Sequence, residues 1–272
     1  MTFGARSFDG IRAVIFDLDD TLICTTAADD YAFGEVLQLL STQFSVQEDC
    51  ARHVLMSYRT ELKRAPWDQS NREHPWTWRR RIWRSVLAKN CHQLDAANIE
   101  LASYRANELF RDARLSKLKI PPACNSTLRK LKERGLQLGI ITNGNTVIQR
   151  EKLAACGAYT VFKPEHICVG GEELLAGRHH KPDSRIFQLM CGYLGCSPTE
   201  CMFVGDNWSV DVCGAHSAKV GVVVCISAQE ENTDKASLIY RSTRQFTKIE
   251  EFCETIDAAL CTRPMRAGAR LV

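Results

Sequence analysis

The sequence predicts an α/β fold in which a parallel sheet is covered by helices on both faces and is interrupted by an all-helical insert. Short, wholly apolar runs such as Ala13–Phe16 alternate with segments of helical periodicity from about residue 120 onwards. Continuous apolar strands separated by helices are typical of parallel βαβ units. Residues 25–119, by contrast, contain no strand-like run. We therefore expect a discontinuous sheet-containing core with an inserted helical domain.

The first strand ends in acids and leads into the helical insert. Ala13–Phe16 is too short for a helix, and the acids Asp17, Asp19 and Asp20 follow it, which indicates a buried strand and a loop. Apolar residues then recur at helical spacing. The clearest sets are Phe33, Val36, Leu37 and Leu40, then Val54, Leu55, Tyr58 and Leu62, then Ile82, Trp83, Val86 and Leu87, with a last helix from about 95 to 115. Two consecutive prolines at 121 and 122 mark the end of the insert.

Beyond the insert, strands and helices alternate. We predict strands at Gln137–Ile141, around His166–Val169, at Cys201–Val204 and at Val220–Ile226, and helices at about Cys124–Arg134, Thr146–Cys156, Asp183–Leu194, Val210–Ala218 and Thr247–Leu260. Residues 170–178 are expected to be a long loop, and residues 229–234 a polar surface loop. The predicted domains are a core at 1–24 and 120–262 and a helical cap at 25–119, with a flexible tail at 263–272.

Composition excludes several classes of partner. The 272 residues carry 35 Lys and Arg against 32 Asp and Glu, a net charge of +3, which gives no support to a nucleic-acid or membrane-surface binder. No apolar run approaches the roughly 18–20 residues of a membrane helix. The 13 cysteines include no CxxC pair and indicate buried, reduced thiols. We expect a cytoplasmic protein that acts on a small molecule as a monomer or homodimer.

Polar side chains gather where the predicted strands end. In an open parallel sheet, ligands bind at the carboxyl ends of the strands, so residues just after each strand share one edge. Acids follow the first strand and the Cys201–Val204 strand, a threonine and an asparagine follow the Gln137–Ile141 strand, and a lysine opens a helix between them. The residues expected at this edge are Asp17, Asp19, Thr142, Asn143, Lys181, Asp206 and Asp211.

The clustered acids point to a metal ion. Taken singly, each of the short polar segments that contain these residues is typical of a solvated loop or a helix cap. Clustered carboxylates repel one another, however, so a group of them persists when a cation neutralises it. Oxygen ligands of this type suit a hard ion, Mg²⁺ before Ca²⁺. The sequence therefore predicts Mg²⁺ as cofactor.

The same residues resemble the four signature motifs of the haloacid dehalogenase superfamily of phosphohydrolases. These motifs stand in this chain as Asp17-x-Asp19-Asp20-Thr21, Thr142, Lys181 and Gly205-Asp206-x4-Asp211. The likeness covers about residues 11 to 260. It implies a Rossmann-like core, and it identifies the helical insert as a type I cap domain, which in this superfamily closes over the site and contacts the leaving group.

The resemblance also implies a role for each residue. Asp17 would be the nucleophile that forms an aspartyl-phosphate, and Asp19 the general acid and then the general base. Thr142, the Asn143 backbone amide and Lys181 would bind the phosphoryl oxygens. The Mg²⁺ ligands would be Asp17, the Asp19 backbone carbonyl and Asp206, with Asp211 a direct or water-bridged partner. The implied function is a Mg²⁺-dependent phosphomonoesterase.

Three other functions are open within this superfamily. True haloacid dehalogenases need neither the metal nor the second aspartate of the first motif, so Asp19 and Asp206 favour phosphate chemistry. A phosphomutase shares all four motifs and differs mainly in excluding water. A non-catalytic phosphate-ligand binding protein usually lacks the nucleophile or the general acid, both of which this chain retains at Asp17 and Asp19.

The insert holds an aromatic and basic cluster with two interpretations. Four of the five tryptophans lie between Trp67 and Trp83, among Arg72, Arg79, Arg80, Arg81 and Arg84. The cluster is able to stack a planar ring and pair an anionic group, which would favour a nucleotide, flavin mononucleotide or sugar phosphate. Alternatively, Trp76 and Trp83 pack the helices while the arginines are solvated. Within the superfamily the chain is similar to small-molecule phosphatases, such as flavin mononucleotide, pyrimidine-nucleotide and N-acylneuraminate 9-phosphate phosphatases.

Overall fold

A computed structural model describes residues 9–64, 73–227 and 243–261. Contacts divide the chain into two compact units, one made of Met1–Cys24 with Lys119–Val272 and the other of Thr25–Leu118. We call them the sheet unit and the helical unit. Four features discussed above lie outside the described residues: Trp67, Arg72, the polar loop at 229–234 and the tail at 263–272.

The described part of the sheet unit contains a six-stranded sheet in which every neighbouring pair of strands is parallel. The strands are β1 (Ala13–Phe16), β2 (Gln137–Thr142), β3 (Ile167–Val169), β4 (Cys201–Gly205), β5 (Val222–Ile226) and β6 (Arg244–Phe246). They lie in the order β3-β2-β1-β4-β5-β6. This is a Rossmann-like arrangement, and it confirms the predicted fold class.

The register brings the ends of the central strands together. Phe16, the last residue of β1, is paired with Ile140 of β2 on one side and with Val204 of β4 on the other. All four residues of β1 are buried, as a wholly apolar central strand requires. The loops that follow β1, β2 and β4 therefore begin at the same edge of the sheet, where the sequence places its acids and Thr142.

The helical unit consists of four helices in its described residues. They are α1 (Thr25–Gln43), α2 (Glu48–Arg64), α3 (Pro75–Asn90) and α4 (Ala96–Lys117). Pro75 occupies the first turn of α3, where its missing N–H costs nothing, and the Asp95 side chain caps α4 by accepting from Asn98 N. An aromatic core joins the helices: the rings of Tyr58 and Trp83 stack with centroids 3.8 Å apart. These helices agree with the all-helical insert of the predicted fold class.

Helices cover both faces of the sheet. They are α5 (Pro122–Glu133), α6 (Thr146–Ala155), α7 (Gly170–Leu175), α8 (Ser184–Tyr193), α9 (Cys213–Ser217) and α10 (Ile249–Cys261). Neighbouring residues of a strand point to opposite faces. Accordingly, Ile15 belongs to the cluster built around Phe187, whereas the Phe16 ring makes edge contacts with Phe162 and Phe252.

Three elements differ from the sequence-based expectations. Residues 170–178 were expected to be a loop, but α7 occupies the first six of them. The predicted helix at Val210–Ala218 is a π-helical turn, Trp208–Val212, followed by α9. The strand β6 was not expected, because three residues are too few to show a periodicity.

Two further properties follow from the described residues. Every cysteine whose side chain is described is a free thiol, and most of these thiols are buried. Among the described helices, none combines the length and the apolarity that crossing a membrane requires.

Candidate active site

Asp17 is the first residue beyond β1, and the sheet still holds its backbone. Its N–H donates to the carbonyl of Val204 at 2.8 Å, which extends the pairing of β1 with β4 by one residue. The Asp17 side chain is buried as a result. Three residues on, Asp20 adopts a φ of +56°, and the chain turns so that the Thr21 hydroxyl donates to Asp206 Oδ1 at 3.4 Å. The loop after β1 is therefore tied to the loop after β4.

Lys181 is the buried cation at the centre of the site. Its Nζ donates to Asp17 Oδ1 at 2.5 Å and to Asp211 Oδ1 at 2.6 Å. The Lys181 and Asp211 side chains are each only 2 % exposed. A charge this far from water is tolerated only when it is paired, so the two carboxylates and the ammonium depend on one another.

The backbone of Lys181 is held by Asn143. The Asn143 side chain donates to the carbonyl of Lys181 at 2.8 Å and accepts from its N–H at 3.0 Å. This double hydrogen bond links the loop after β2 to the segment before α8. Asn143 was predicted to contribute its backbone amide to phosphate binding; the structure shows that its side chain also fixes the backbone that carries Lys181.

Asp206 adds a third carboxylate to the group. Oxygens of Asp17, Asp206 and Asp211 all lie within 4.8 Å of one another. Gly205, the last residue of β4, makes this close approach possible, because a Cβ at that position would lie 2.6 Å from the Asp211 carboxylate. The Asp211 side chain also accepts from the Asn207 N–H at 3.1 Å, which holds it against the loop.

The electrostatics of this group show an excess of negative charge. Burial raises the pKa of Asp206 to about 7, and the nearby charges of Asp211 and Asp20 act in the same direction. Burial also raises the pKa of Asp17 well above its usual value, against the opposing effect of Lys181. Burial alone would lower the pKa of Lys181, but Asp17 and Asp211 raise it above its ordinary value. Among the described residues in contact with these carboxylates, one ammonium faces three acids.

The carboxylate group fits a divalent cation. Its donors are all oxygens, the type that Mg²⁺ binds in proteins. Three carboxylates with one ammonium leave two negative charges to be balanced, which is the charge of a divalent ion. Burial is the main cause of the raised pKa values of Asp17 and Asp206, and a nearby cation would oppose it by favouring their charged forms.

The side chains of Asp19 and Thr142 belong to a second group, which contacts α6. Both oxygens of Asp19 accept from Lys152 Nζ, at 2.7 and 2.8 Å. Gln149 Nε2 donates to Asp19 Oδ2 at 2.8 Å and also to Thr142 Oγ1. The predicted site residues therefore form two neighbouring sets, one around Lys181 and one in contact with α6.

Gln149 and Lys152 are site residues that the sequence reasoning missed. They lie three residues apart on α6 and so share one face of the helix. That face also carries the buried residues Ile148 and Leu153. A lysine and a glutamine within an apolar helix face were the available signal, because such side chains are rarely buried without a partner.

The helical unit supports the packing interpretation of Trp76 and Trp83. Trp83 is fully buried against Tyr58, and Trp76 is 5 % exposed. Arg80 and Arg84 pair with Glu100, and Arg81 pairs with Glu73. Arg79 differs, because its guanidinium lies over the Trp76 ring, 5.1 Å from the centroid.

The side chains of Trp208 and of the two histidines before Lys181 are less buried than those of Trp76 and Trp83. The Trp208 side chain is partly buried and packs against the core cluster of the sheet unit. His180 is exposed, and His179 Nδ1 lies 3.5 Å from Asp183.

Comparison with known proteins identifies the family. The haloacid dehalogenase-like hydrolase family matches residues 11–219 of the chain. The N-acylneuraminate-9-phosphatase of Homo sapiens is 30% identical over 222 residues, which cover 80% of this chain and 83% of that protein. The glyceraldehyde 3-phosphate phosphatase of Methanopyrus kandleri is 29% identical over 208 residues, 76% of this chain and 81% of that protein.

A solved structure agrees in fold. The 2-haloacid dehalogenase from Pseudomonas syringae pv. Tomato DC3000 superposes with a TM-score of 0.60 and 23% identity, covering 91% of this chain and 98% of that one. The family match spans most of the chain, and the parallel six-stranded sheet agrees with the Rossmann-like core that the resemblance implies. The chain belongs to the haloacid dehalogenase-like hydrolases and, within them, to the phosphatase branch.

Proposed function

We propose that the protein is a Mg²⁺-dependent phosphomonoesterase that hydrolyses a small phosphorylated metabolite through a phosphorylated Asp17. The observation that carries this proposal is the group of three carboxylates, buried Asp17 and Asp211 and half-buried Asp206, with the Lys181 ammonium paired to the first two. When ionised, this group carries more negative than positive charge, which favours a bound cation, and its position at the carboxyl ends of β1 and β4 is where an open parallel sheet binds ligands.

The residues present favour phosphate chemistry over dehalogenation. In the superfamily that the motifs resemble, a dehalogenase needs neither the second aspartate of the first motif nor the metal. This chain keeps Asp19, and it keeps Asp206 within reach of Asp17 and Asp211. The curated relatives described above are both named as phosphatases.

The reaction proceeds in two displacements at phosphorus. In the first, an Asp17 carboxylate oxygen forms a bond to phosphorus while the bond from phosphorus to the ester oxygen breaks, and Asp19 gives its proton to the departing alkoxide. In the second, a water oxygen bonds to phosphorus, Asp19 takes a proton from that water, and the bond from phosphorus to Asp17 breaks. The products are an alcohol and inorganic phosphate, and both aspartates return to their starting forms.

Lys181, Thr142 and Asn143 bind the phosphoryl group in this scheme. The Lys181 ammonium already contacts Asp17, so it lies beside the oxygen that attacks and is available to a phosphoryl oxygen. Thr142 is the last residue of β2 and Asn143 follows it, so the Thr142 hydroxyl and the Asn143 backbone amide supply neutral hydrogen-bond donors at the same edge of the sheet.

Asp17, Asp206, Asp211 and the Asp19 backbone carbonyl would hold Mg²⁺. When bound, the ion supplies charge compensation, so that an anionic carboxylate is able to approach an anionic phosphate ester. The chain's own contribution is to keep Asp206 and Asp211 close to Asp17, which Gly205 permits.

The substrate that we propose is a sugar phosphate, including phosphorylated sugar acids. N-acylneuraminate-9-phosphatases from three mammals match about four-fifths of this chain and of their own length. Nucleoside monophosphates and flavin mononucleotide are the alternatives, and each is an alkyl phosphate of the same reaction class.

Phosphate release from a panel of monoesters tests this function. The panel contains sugar phosphates, N-acylneuraminate 9-phosphate, glyceraldehyde 3-phosphate, nucleoside monophosphates and flavin mononucleotide, each with Mg²⁺ and with EDTA. We expect release that requires Mg²⁺ and is abolished in Asp17→Asn, which keeps the volume of the side chain and removes the nucleophile. Full activity of Asp17→Asn would overturn the covalent mechanism. Failure of the folded, Mg²⁺-bound chain to release phosphate from any ester would instead favour a mutase or a phosphate-binding protein.

A further inference from the structure

The carboxylate of Asp19 is held from one side by two side chains of α6. Lys152 Nζ contacts both of its oxygens, and Gln149 Nε2 contacts Oδ2. The sequence separations are 133 and 130 residues, so the contact joins two distant parts of the sheet unit. The Asp19 side chain is 29% exposed, whereas that of Lys152 is only 6% exposed. The donors are therefore buried and the carboxylate they hold remains accessible.

Helix α6 is itself fixed to the end of β2, where Thr142 lies. Its first residues are capped by Asn145, whose side chain accepts from Val147 N and Ile148 N. Asn145 lies three residues after Thr142, and Gln149 donates to the Thr142 hydroxyl as well as to Asp19. The helix thus has a defined start, and one glutamine amide connects two of the proposed site residues.

We propose that Gln149 and Lys152 are positioning residues that set the orientation of the Asp19 carboxyl group for proton transfer to the departing alkoxide and from the attacking water. This role rests on the proposed function. An aspartate on a loop has two free side-chain torsions, and a proton-transfer group must lie within hydrogen-bond reach of the atom it serves. Donors on both oxygens remove that freedom, and because they come from a capped helix they are themselves rigid.

The alternative is that the ion pair only fastens α6 to the loop after β1. The two roles differ in their dependence on the leaving group. A nitrophenolate departs without a proton, whereas an alkoxide needs one from Asp19 as its bond to phosphorus breaks. Misplacing Asp19 therefore slows the alkyl ester more than the nitrophenyl ester. A loosened fold lowers the rates for both substrates equally.

The test compares kcat/KM on p-nitrophenyl phosphate with kcat/KM on the alkyl phosphate that the wild-type chain hydrolyses fastest. This ratio reports the steps up to the transfer of phosphorus to Asp17, so it leaves out the later hydrolysis step, in which Asp19 acts as a base on both esters alike. Misplacement of a catalytic group by about 1 Å costs on the order of 100-fold in rate. We expect Lys152→Met and Gln149→Met to lower kcat/KM by about 10- to 100-fold on the alkyl ester and by less than about threefold on p-nitrophenyl phosphate. Lys152→Arg, whose guanidinium donates to both oxygens of a carboxylate, should recover most of the alkyl-ester rate.

Lys132→Met is the matched control. Lys132 lies on α5 of the same unit, and its Nζ donates to the Val161 carbonyl at 3.0 Å, outside both sets of site residues. We expect its ratio of the two rates to equal that of the wild type. Equal losses on both esters in Lys152→Met and Gln149→Met, or no recovery in Lys152→Arg, would overturn the positioning role while leaving the phosphatase function intact. Absence of hydrolysis of either ester by the folded wild-type chain would overturn the proposed function, and the positioning role with it.

Discussion

Lys181 Nζ lies 2.5 Å from an oxygen of Asp17, and both side chains are buried. The same ammonium contacts Asp211 at 2.6 Å. The proposed nucleophile is thus already paired with a cation that belongs to the chain. Burial raises the pKa of Asp17, and the Lys181 ammonium opposes this effect because it favours the charged carboxylate. Variants of Lys181 should therefore show what the ion pair contributes.

Removing Lys181 should destabilise the metal-free protein. Lys181→Met preserves much of the side-chain length but leaves two buried carboxylates without their ammonium partner. Breaking a buried pair by deleting one member costs about 3–5 kcal/mol, so the free energy of unfolding in EDTA should fall by about that amount. Saturating Mg²⁺ should reduce this loss in the free energy of unfolding, because the divalent ion replaces part of the missing positive charge. Denaturant unfolding with and without Mg²⁺ measures both effects. An unchanged free energy of unfolding in EDTA would contradict this account of the ion pair.

Substituting Gly205 should disturb the metal site specifically. In Gly205→Ala the added Cβ would lie 2.6 Å from the Asp211 carboxylate, so that side chain must move away from Lys181 and Asp206. We expect the Mg²⁺ concentration for half-maximal activity to rise by at least about tenfold, within the range seen when residues supporting metal ligands are replaced. Gly192→Ala is the control, because a Cβ at this α8 position meets nothing within 4 Å. That change should leave activity intact and stabilise the helix by about 0.5–1 kcal/mol. The same Mg²⁺ requirement in Gly205→Ala and in the wild type would count against the site described here.

The effect of Mg²⁺ on stability should grow with pH. The pKa of Asp206 is about 7 in the folded, metal-free chain, against an ordinary value of 3.8. Between these values the folded state binds more protons than the unfolded state, so the stability of the metal-free protein contributed by this group falls as the pH rises from about 4 to about 7. Mg²⁺ requires the carboxylate form, so the increase in Tm on adding Mg²⁺ should be larger at about pH 8 than at about pH 6. Asp206→Asn should remove most of this difference. A Mg²⁺-induced shift that is the same at both pH values in the wild type would show that Asp206 does not control binding.

The aromatic core and the surface arginines of the helical unit should differ in their contributions to stability. Trp83 is fully buried and stacked on Tyr58, so Trp83→Ala should cost about 3–5 kcal/mol. Arg81 is 65% exposed and pairs with Glu73 at the surface, so Arg81→Ala should change stability by about 0–1 kcal/mol. Thermal unfolding followed by circular dichroism compares the two variants. Equal losses of stability would contradict the packing interpretation of this segment.

The parts of the fold that sequence predicts well are those with local causes. The strand β1 is a wholly apolar run that ends at Asp17, and both its burial and the acids after it are visible in the sequence. The position of Lys181 was predictable because it belongs to a motif of fixed type and order. For β1 the neighbouring residues alone carry the signal, whereas for Lys181 it comes from the order of the four motifs along the chain.

The contacts around Asp19 could not be predicted in the same way. Lys152 is buried because it pairs with Asp19, 133 residues earlier in the chain. The apolar face of α6 indicates that this lysine is buried, but it does not identify the partner. The strand β6 has three residues, too few for a pattern, and it forms because β5 offers an edge to pair with. The helix α7 likewise occupies six residues of a segment that was expected to be a loop.

The most direct test of the central proposal is to locate the phosphoryl group during turnover. In Asp19→Asn the first displacement of p-nitrophenyl phosphate needs no acid, while hydrolysis of the intermediate loses its base, so a phosphorylated chain should accumulate with Mg²⁺ present. Acid quenching followed by peptide mass spectrometry should place one phosphoryl group on Asp17. Phosphate release without any phosphorylated peptide, or a phosphoryl group on another residue, would contradict the account.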